Sequence, residues 1–285
     1  MSTQGPGGKN PLIPPWAEES DKVIITGGPA GTDEQEAGSD NNDAEDHEID
    51  NQQVQSEIPG PPPVHNGRGR LSGARRAFGD YAKSGSSNDL RKALKSYSRK
   101  SSGKGQGSSK RHASGITAGT ALFGLLNGGA VTTNSGTLSL SDLTGLTTDQ
   151  AIDRIADHLS PQSEDAENVR TSLNYALSEA LQEVEIIDDA NFSPELMAEV
   201  YNCYLTDLIF QQVVEDMGRA WFHAETAKRT LQMESQLREL IKVIVDSKLE
   251  QVSGGNLSCI STKQITQVQI QTITQTINDW ENFND

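Results

Sequence analysis

The charged residues of this chain fall into three blocks, and this segregation limits which parts of it can form a core. Residues 1–64 carry 13 acidic and 2 basic side chains, residues 65–112 carry 2 and 13, and residues 113–285 carry 25 and 9. The net charges of −11, +11 and −16 sum to the formal −16 of the whole chain. Such segregation is typical of an interaction segment attached to a separate folded body.

The apolar content predicts where that body begins. Only nine residues of 1–64 are Leu, Ile, Val or Phe, and so little apolar surface cannot offset the entropy cost of ordering a highly charged segment. We expect a disordered, acidic, Gly/Pro-rich tail over 1–64 and a basic flexible arm over 65–112. A Gly/Ala-rich apolar segment and linker follow over 113–140, and an α-helical domain is expected over 141–285.

From residue 141 onward, apolar side chains recur at intervals of three and four residues, which predicts helices. Thr147 with Gln150 forms a capping-box signature, and Ser193 before Pro194 marks another helix start. The expected helices cover 148–159, 164–185, a stretch from 193, 237–252 and, in preference to a strand, 261–280. The predicted fold class is mainly α, with a helical C-terminal domain of four to six helices after a long disordered N-terminal region.

The sequence shows no catalytic, cofactor-binding or metal-binding motif. Its five histidines are scattered, and no metalloprotease motif, phosphate-binding loop or dinucleotide fingerprint is present. Cys203 and Cys259 lack metal-ligand spacing. Residues 113–131 carry no charge, but Gly, Ser and Thr dilute their apolar content, so we expect a buried or partner-covered segment and no membrane span. We therefore expect a protein that is not an enzyme and that needs no cofactor.

Cations and aromatic rings alternate in the basic block, and they are candidate contacts for a partner. The set comprises Arg75, Arg76, Phe78, Tyr81, Arg91, Lys92, Lys95 and Tyr97. Cations bind phosphates and rings stack on bases, so residues 67–111 could form a nucleic-acid-binding module. The same residues could instead dock on an acidic protein surface, including the body of this chain. A short helix over 89–99, capped by Asn88, is also expected.

Three aromatic residues outside the basic block are further candidate contacts. Trp16 ends a Pro-rich stretch with the composition of a docking peptide. Trp221 and Phe222 are adjacent and cannot both face one core, so one of them is expected to mark a partner surface.

Several motifs together resemble one protein family. They are NPLIPPW at 10–16, LSGARRAFGDYAKSG at 71–85, LRKALKSYSRK at 90–100, TAGTALFGLL at 117–126 and the helical run that begins LTTDQAIDRIADHL at 146. This arrangement resembles the QatB family, the associated proteins of the four-component Qat anti-phage defence system of bacteria. The resemblance covers nearly the whole chain except the acidic linker.

The resemblance implies a cytoplasmic bacterial protein that acts against phage. Its implied partners are a P-loop ATPase, a QueC-like enzyme of 7-deazaguanine chemistry and a TatD-like nuclease. The QueC-like enzyme could conjugate a deazaguanine to the N-terminal amine, at Ser2 after removal of Met1. We expect a non-catalytic adaptor or modified substrate subunit, with a protein partner for the basic block favoured over nucleic acid and with no membrane partner.

Overall fold

The computed structural model describes residues 24–26, 69–101, 110–189, 192–224, 226–254, 257 and 260–283. Over these residues, eight α-helices and one three-stranded antiparallel sheet form the fold. Five of these helices lie within the expected helical domain at 141–285, inside the expected range of four to six. The predicted mainly α class is therefore confirmed.

The elements lie along the chain in the following order. The helices are α1 Ser72–Ser84, α2 Ser87–Ser101, α3 Ala113–Leu126, α4 Thr148–Leu159, α5 Ala166–Ala180, α6 Pro194–Met217, α7 Ala227–Ser253 and α8 Thr262–Glu281. The strands are β1 Ile24–Thr26, β2 Ala130–Thr133 and β3 Gly136–Leu138, paired in that order. Short 3-10 helices lie at Leu140–Leu143, Ile187–Asp189 and Gly218–His223.

Three helices begin at capping residues, two of which the sequence predicts. Thr147 and Gln150 form the expected capping box before α4, and the Ser193 side chain accepts a hydrogen bond from the Leu196 amide at the start of α6. Ser261 and Gln264 form a second capping box before α8. The segment 261–280, for which the sequence pattern favoured a helix over a strand, thus forms a helix.

Helix α3 lies at the centre of the core, because ten of its 14 residues are buried. Tyr204 donates its hydroxyl to the Gly115 carbonyl at 2.6 Å, and Tyr201 donates to the Gly119 carbonyl. These contacts require α6 to approach the α3 backbone closely. Gly115 and Gly119 allow this approach because they have no Cβ. The uncharged segment is therefore buried, as expected. Among the described residues, no helix combines the length and apolar composition needed to cross a bilayer.

Two parts of the fold differ from the sequence expectation. Ile24–Thr26, within the expected tail, pairs with β2 in an antiparallel register that sets Ile25 opposite Val131. Residues 69–101, expected to be a flexible arm, form α1 and α2, joined at Gly85 with φ +74°. Their apolar residues are buried in the same core cluster as the C-terminal helices. The expectation of a flexible arm is corrected for these residues, because tertiary burial outweighs their high charge.

Gly119→Ala tests the close packing around α3. An added Cβ would lie 2.7 Å from a Tyr204 ring carbon and closer still to Gln269, so the free energy of unfolding should fall by about 2 kcal/mol. Gly73→Ala in α1 is the control, since its Cβ would meet only Ser96 Oγ at 3.4 Å. It should be neutral or stabilising by up to about 1 kcal/mol. Urea denaturation of both variants measures the difference, and equal effects would contradict the packing described.

Candidate interaction surface

The Asp216 carboxylate holds residues 69–101, here called the basic hairpin, to the end of α6. Tyr97 of α2 donates its hydroxyl to Asp216 Oδ2 at 2.7 Å, and Arg111 pairs with Oδ1. Arg75 of α1 donates Nε to the Asp216 backbone carbonyl at 2.8 Å. Residues from α1, from α2 and from the segment before α3 therefore all contact one acidic residue of the C-terminal domain. These are charge-assisted hydrogen bonds, which are stronger than neutral ones.

The electrostatic surroundings keep Tyr97 a hydrogen-bond donor at neutral pH. Burial raises the pKa of Tyr97 well above its ordinary value, and the nearby Asp216 carboxylate raises it further. A protonated phenol can donate to the carboxylate across the whole physiological range, so this attachment of α2 does not depend on pH near 7.

Arg229 of α7 holds the other end of the hairpin. Its Nη2 donates to the Tyr81 carbonyl at 2.9 Å and its Nε to the Ala82 carbonyl at 3.2 Å. Its guanidinium carbon lies 5.2 Å from the centre of the Tyr81 ring. The Tyr81 hydroxyl donates to Gln236 Oε1 at 2.7 Å, and burial raises the pKa of Tyr81 to about 12, against the opposing charge of Arg229. Both ends of α1 thus contact the C-terminal domain.

Aromatic rings of the hairpin pack inside the core instead of facing solvent. Phe78 lies 6.3 Å from Trp221, and Tyr97 lies 6.1 Å from Trp280, measured between ring centroids. Phe78, Tyr81, Tyr97 and Trp221 are each at most 1% exposed. Their expected role as contacts for bases or a partner is corrected, because a fully buried ring presents no face for stacking.

The outer side of the hairpin carries a dense set of cations, which we call the cationic face. Its exposed members are Arg70, Arg76, Lys83, Arg91, Lys92, Arg99 and Lys100. Asp80 is the one exposed acidic side chain of residues 69–101. The structure thus places the two helices so that their apolar residues enter the core and most of their charges meet solvent.

The cations predicted as contacts divide between this face and half-buried positions. Arg76, Arg91 and Lys92 belong to the cationic face, whereas Arg75 and Lys95 are half-buried. The candidate set omitted Arg70, Lys83, Arg99 and Lys100, and helical spacing relative to the apolar residues of α1 and α2 would have indicated the last three.

On the cationic face, Arg70 donates Nε to the Lys100 carbonyl at 2.7 Å, whereas the local contacts of Lys92 and Arg91 are weak. Lys92 lies 3.7 Å from Asp89 with 60% of its side chain exposed, and the guanidinium carbon of Arg91 lies 6.0 Å from the centre of the Phe283 ring. Exposed ion pairs of this kind contribute about 0–1 kcal/mol. The charges of these two residues therefore remain accessible to a partner.

Phe222 is the exposed member of the aromatic pair. It is 71% exposed in the 3-10 segment Gly218–His223, while its neighbour Trp221 is buried. The segment packs against α1, since a Cβ on Gly79 would lie 3.3 Å from His223 Nδ1. Phe222 therefore lies beside the basic hairpin, and an exposed aromatic residue near cations has the composition of an interface hot spot. Its role as a contact stays a prediction.

The remaining candidates, Ser2 and Trp16, lie outside the described residues. Of the two cysteines, Cys203 is buried and free, and Cys259 lies outside the described residues.

Asp207 forms an ion pair with Arg238 inside the core. Asp207 is fully buried, and Ser172 donates to it at 2.9 Å. The guanidinium carbon of Arg238 also lies 3.9 Å from the centre of the Phe210 ring. This network joins α5, α6 and α7. In the part of the chain that the structure describes, no group of three or more His, Cys, Asp or Glu side chains could hold a metal ion.

Comparison with known proteins gives one match. The family model described as Qat anti-phage system associated protein QatB matches residues 103–280, which are 178 of the 285 residues. No curated protein and no solved structure matches the chain. The matched range includes α3 to all but the last residue of α8, and the basic hairpin lies N-terminal to it.

Asp216→Asn tests the anchor of the basic hairpin. The substitution keeps the shape but removes the charge opposite Arg111, whose side chain is 28% exposed. We expect the free energy of unfolding to fall by about 2 kcal/mol, because a half-buried cation loses its partner.

The control for this substitution is the adjacent Glu215→Gln. Glu215 is exposed and accepts a hydrogen bond from Asn168 at 3.1 Å, so its loss should cost under about 0.5 kcal/mol. Urea denaturation compares the two variants, and an Asp216→Asn effect as small as that of the control would contradict the anchor.

Proposed function

The chain belongs to the QatB family and is a component of the Qat anti-phage system, and we propose that it acts there as a non-catalytic adaptor or modified substrate subunit. In this role the cationic face receives an acidic partner protein. The observation that carries the proposal is a preformed cationic surface on two helices that are anchored in the core at Asp216 and Arg229.

Preformation supports a binding role. Because α1 and α2 are already folded and packed, a partner does not have to order them on binding, and that entropy cost is absent from the affinity. An unfolded arm with the same charges would lose this advantage.

The distribution of charge supports an acidic partner. Residues 113–285 carry a net charge of −16, whereas the cationic face holds seven exposed cations. Such a field repels an acidic surface from most of the body and steers it to the hairpin. Phe222 beside α1 supplies an apolar contact at the rim of the same surface.

Nucleic-acid binding is the second candidate function, and the seven exposed cations favour it. The rings that would stack on bases, Phe78, Tyr81 and Tyr97, are buried, so contacts from the hairpin would be limited to phosphates. A long polyanion would also approach the acidic body, whereas a compact acidic patch on a protein can avoid it. These two points support a protein partner.

The proposed partners are the P-loop ATPase, the QueC-like enzyme and the TatD-like nuclease of the same system. Affinity capture of the tagged full-length chain in the presence of all three proteins tests this assignment. A variant with three exposed cations of the face removed carries Gln in place of Lys83, Lys92 and Lys100. We expect this variant to retain less than about a tenth of the partner captured at about 150 mM salt.

The matched control changes Lys228, Lys242 and Lys263 to Gln, which are exposed lysines on α7 and α8. Equal loss in both variants would contradict a specific role for the cationic face. A DNA oligonucleotide provides the other arm, because a steep fall of affinity with salt that depends on the hairpin lysines would favour the second candidate function.

We extend the proposal to the N-terminus, with Ser2 as the modified residue. The N-terminal amine attacks the acyl carbon of an ATP-activated carboxylate of the deazaguanine; the bond from that carbon to the activating phosphate group breaks, and an amide forms as the phosphate group and a proton leave. Pairing of β1 with β2 anchors the chain at Ile24, 22 residues after Ser2. That length spans up to about 75 Å, so the amine can reach a partner bound elsewhere on the body.

Intact mass of the protein purified with and without the QueC-like enzyme tests this step. We expect an added mass only with the enzyme, and fragmentation should place it on the N-terminal amine. Lys9→Arg removes the nearest side-chain amine and should leave the added mass in place. No added mass, or an adduct that disappears in Lys9→Arg, would overturn the proposed modification.

A further inference from the structure

The cationic face has few acidic neighbours within the described chain. Nine cations and two acids lie within residues 69–101. Asp89 is used by Lys92 and by the Ser84 hydroxyl, and Asp216 is used by the anchor beneath the hairpin. The exposed cations therefore make a surface that a complementary acidic chain can cover.

One segment of the same protein has the complementary composition. Residues 33–50 hold nine acidic side chains and no Lys or Arg. The number of carboxylates is close to the seven exposed cations of the face, so the two sets can pair without leaving a large excess of either sign.

The chain on both sides of this segment is attached to the body. On its N-terminal side, Thr26 ends the strand that pairs with β2. On its C-terminal side, Asp50 precedes Gly69 by 19 residues, a length that spans up to about 65 Å. Helix α2 has 15 residues and is about 22 Å long. The C-terminal end of the acidic segment can therefore reach any point of the cationic face.

We propose that residues 33–50 dock on the cationic face of their own chain and compete there with the acidic partner. The competition with an acidic partner rests on the proposed function, whereas the docking itself does not. A segment tethered at this distance has an effective concentration on the order of millimolar, so weak contacts suffice for occupancy. Each exposed ion pair is weak and screened by salt, so the docking is reversible and a partner with more complementary contacts displaces it.

Zero-length carbodiimide cross-linking of the full chain tests the docking, because this reagent joins a carboxylate only to an amine in contact with it. At about 50 mM salt, we expect carboxylates of 33–50 to be joined to Lys83, Lys92 and Lys100. Cross-links to the exposed lysines Lys228, Lys242 and Lys263 should be at least about five-fold fewer. About 500 mM salt should remove the hairpin cross-links.

A charge variant separates docking from mere closeness along the chain. Arg76, Arg91 and Arg99 changed to Gln remove three exposed charges and leave the hairpin lysines in place. Electrostatic docking predicts a several-fold loss of cross-links in this variant, with circular dichroism verifying that it folds. Unchanged cross-linking would overturn the proposal, and so would cross-links that join two copies of the chain.

Competition is measured with a poly-glutamate peptide as the acidic probe. Changing the nine acids of 33–50 to the corresponding amides should tighten peptide binding by about ten-fold. Peptide binding that is equally tight in the full chain and in this variant would overturn competition. Intramolecular cross-links without peptide binding to either protein would support the docking while contradicting the proposed acidic partner.

Discussion

The carboxylate of Asp216 forms the polar contact between the basic hairpin and the end of α6, and the charge distribution of that surface depends on where the hairpin lies. This carboxylate accepts a hydrogen bond from the Tyr97 hydroxyl and forms an ion pair with Arg111. The backbone carbonyl of the same residue accepts a hydrogen bond from Arg75. The apolar sides of both helices are buried in the same core cluster as the C-terminal helices, and these contacts add to that burial at the end of α6, so most cations of the hairpin face outward. Residues 69–101, with nine cations and two acids, thereby form part of a folded body.

Local signals in the sequence predicted the C-terminal helices well. The capping box before α4 and the Ser193–Pro194 start of α6 are short-range features, so a single sequence reveals them. The packing of the hairpin was missed because its partners are distant: Tyr97 and Asp216 are 119 residues apart. Strand β1 has three residues, and its pairing with β2 spans more than 100 residues, so no local pattern indicated it.

The candidate site was predicted in composition and missed in arrangement. Sequence identified the basic block and its rings, but it grouped cations and aromatics as one surface. The structure separates them, with Phe78 in the core and Arg76 two residues earlier at the surface. The alternation that suggests base stacking in an unfolded segment is, in a helix, the ordinary two-sided pattern of an amphipathic element. Membership of the QatB family supplies the anti-phage setting, and this cationic surface supplies the proposed mode of assembly.

Hydrogen exchange of the backbone amides of α1 and α2 tests the central claim, that the basic segment is part of the folded body, most directly. Amides on the buried side of α2, from Leu94 to Ser101, should exchange at least about a thousand-fold more slowly than those of an unstructured chain, in the same range as those of α6. Exchange of α1 and α2 at the rate of an unstructured chain, while α6 stays protected, would contradict it.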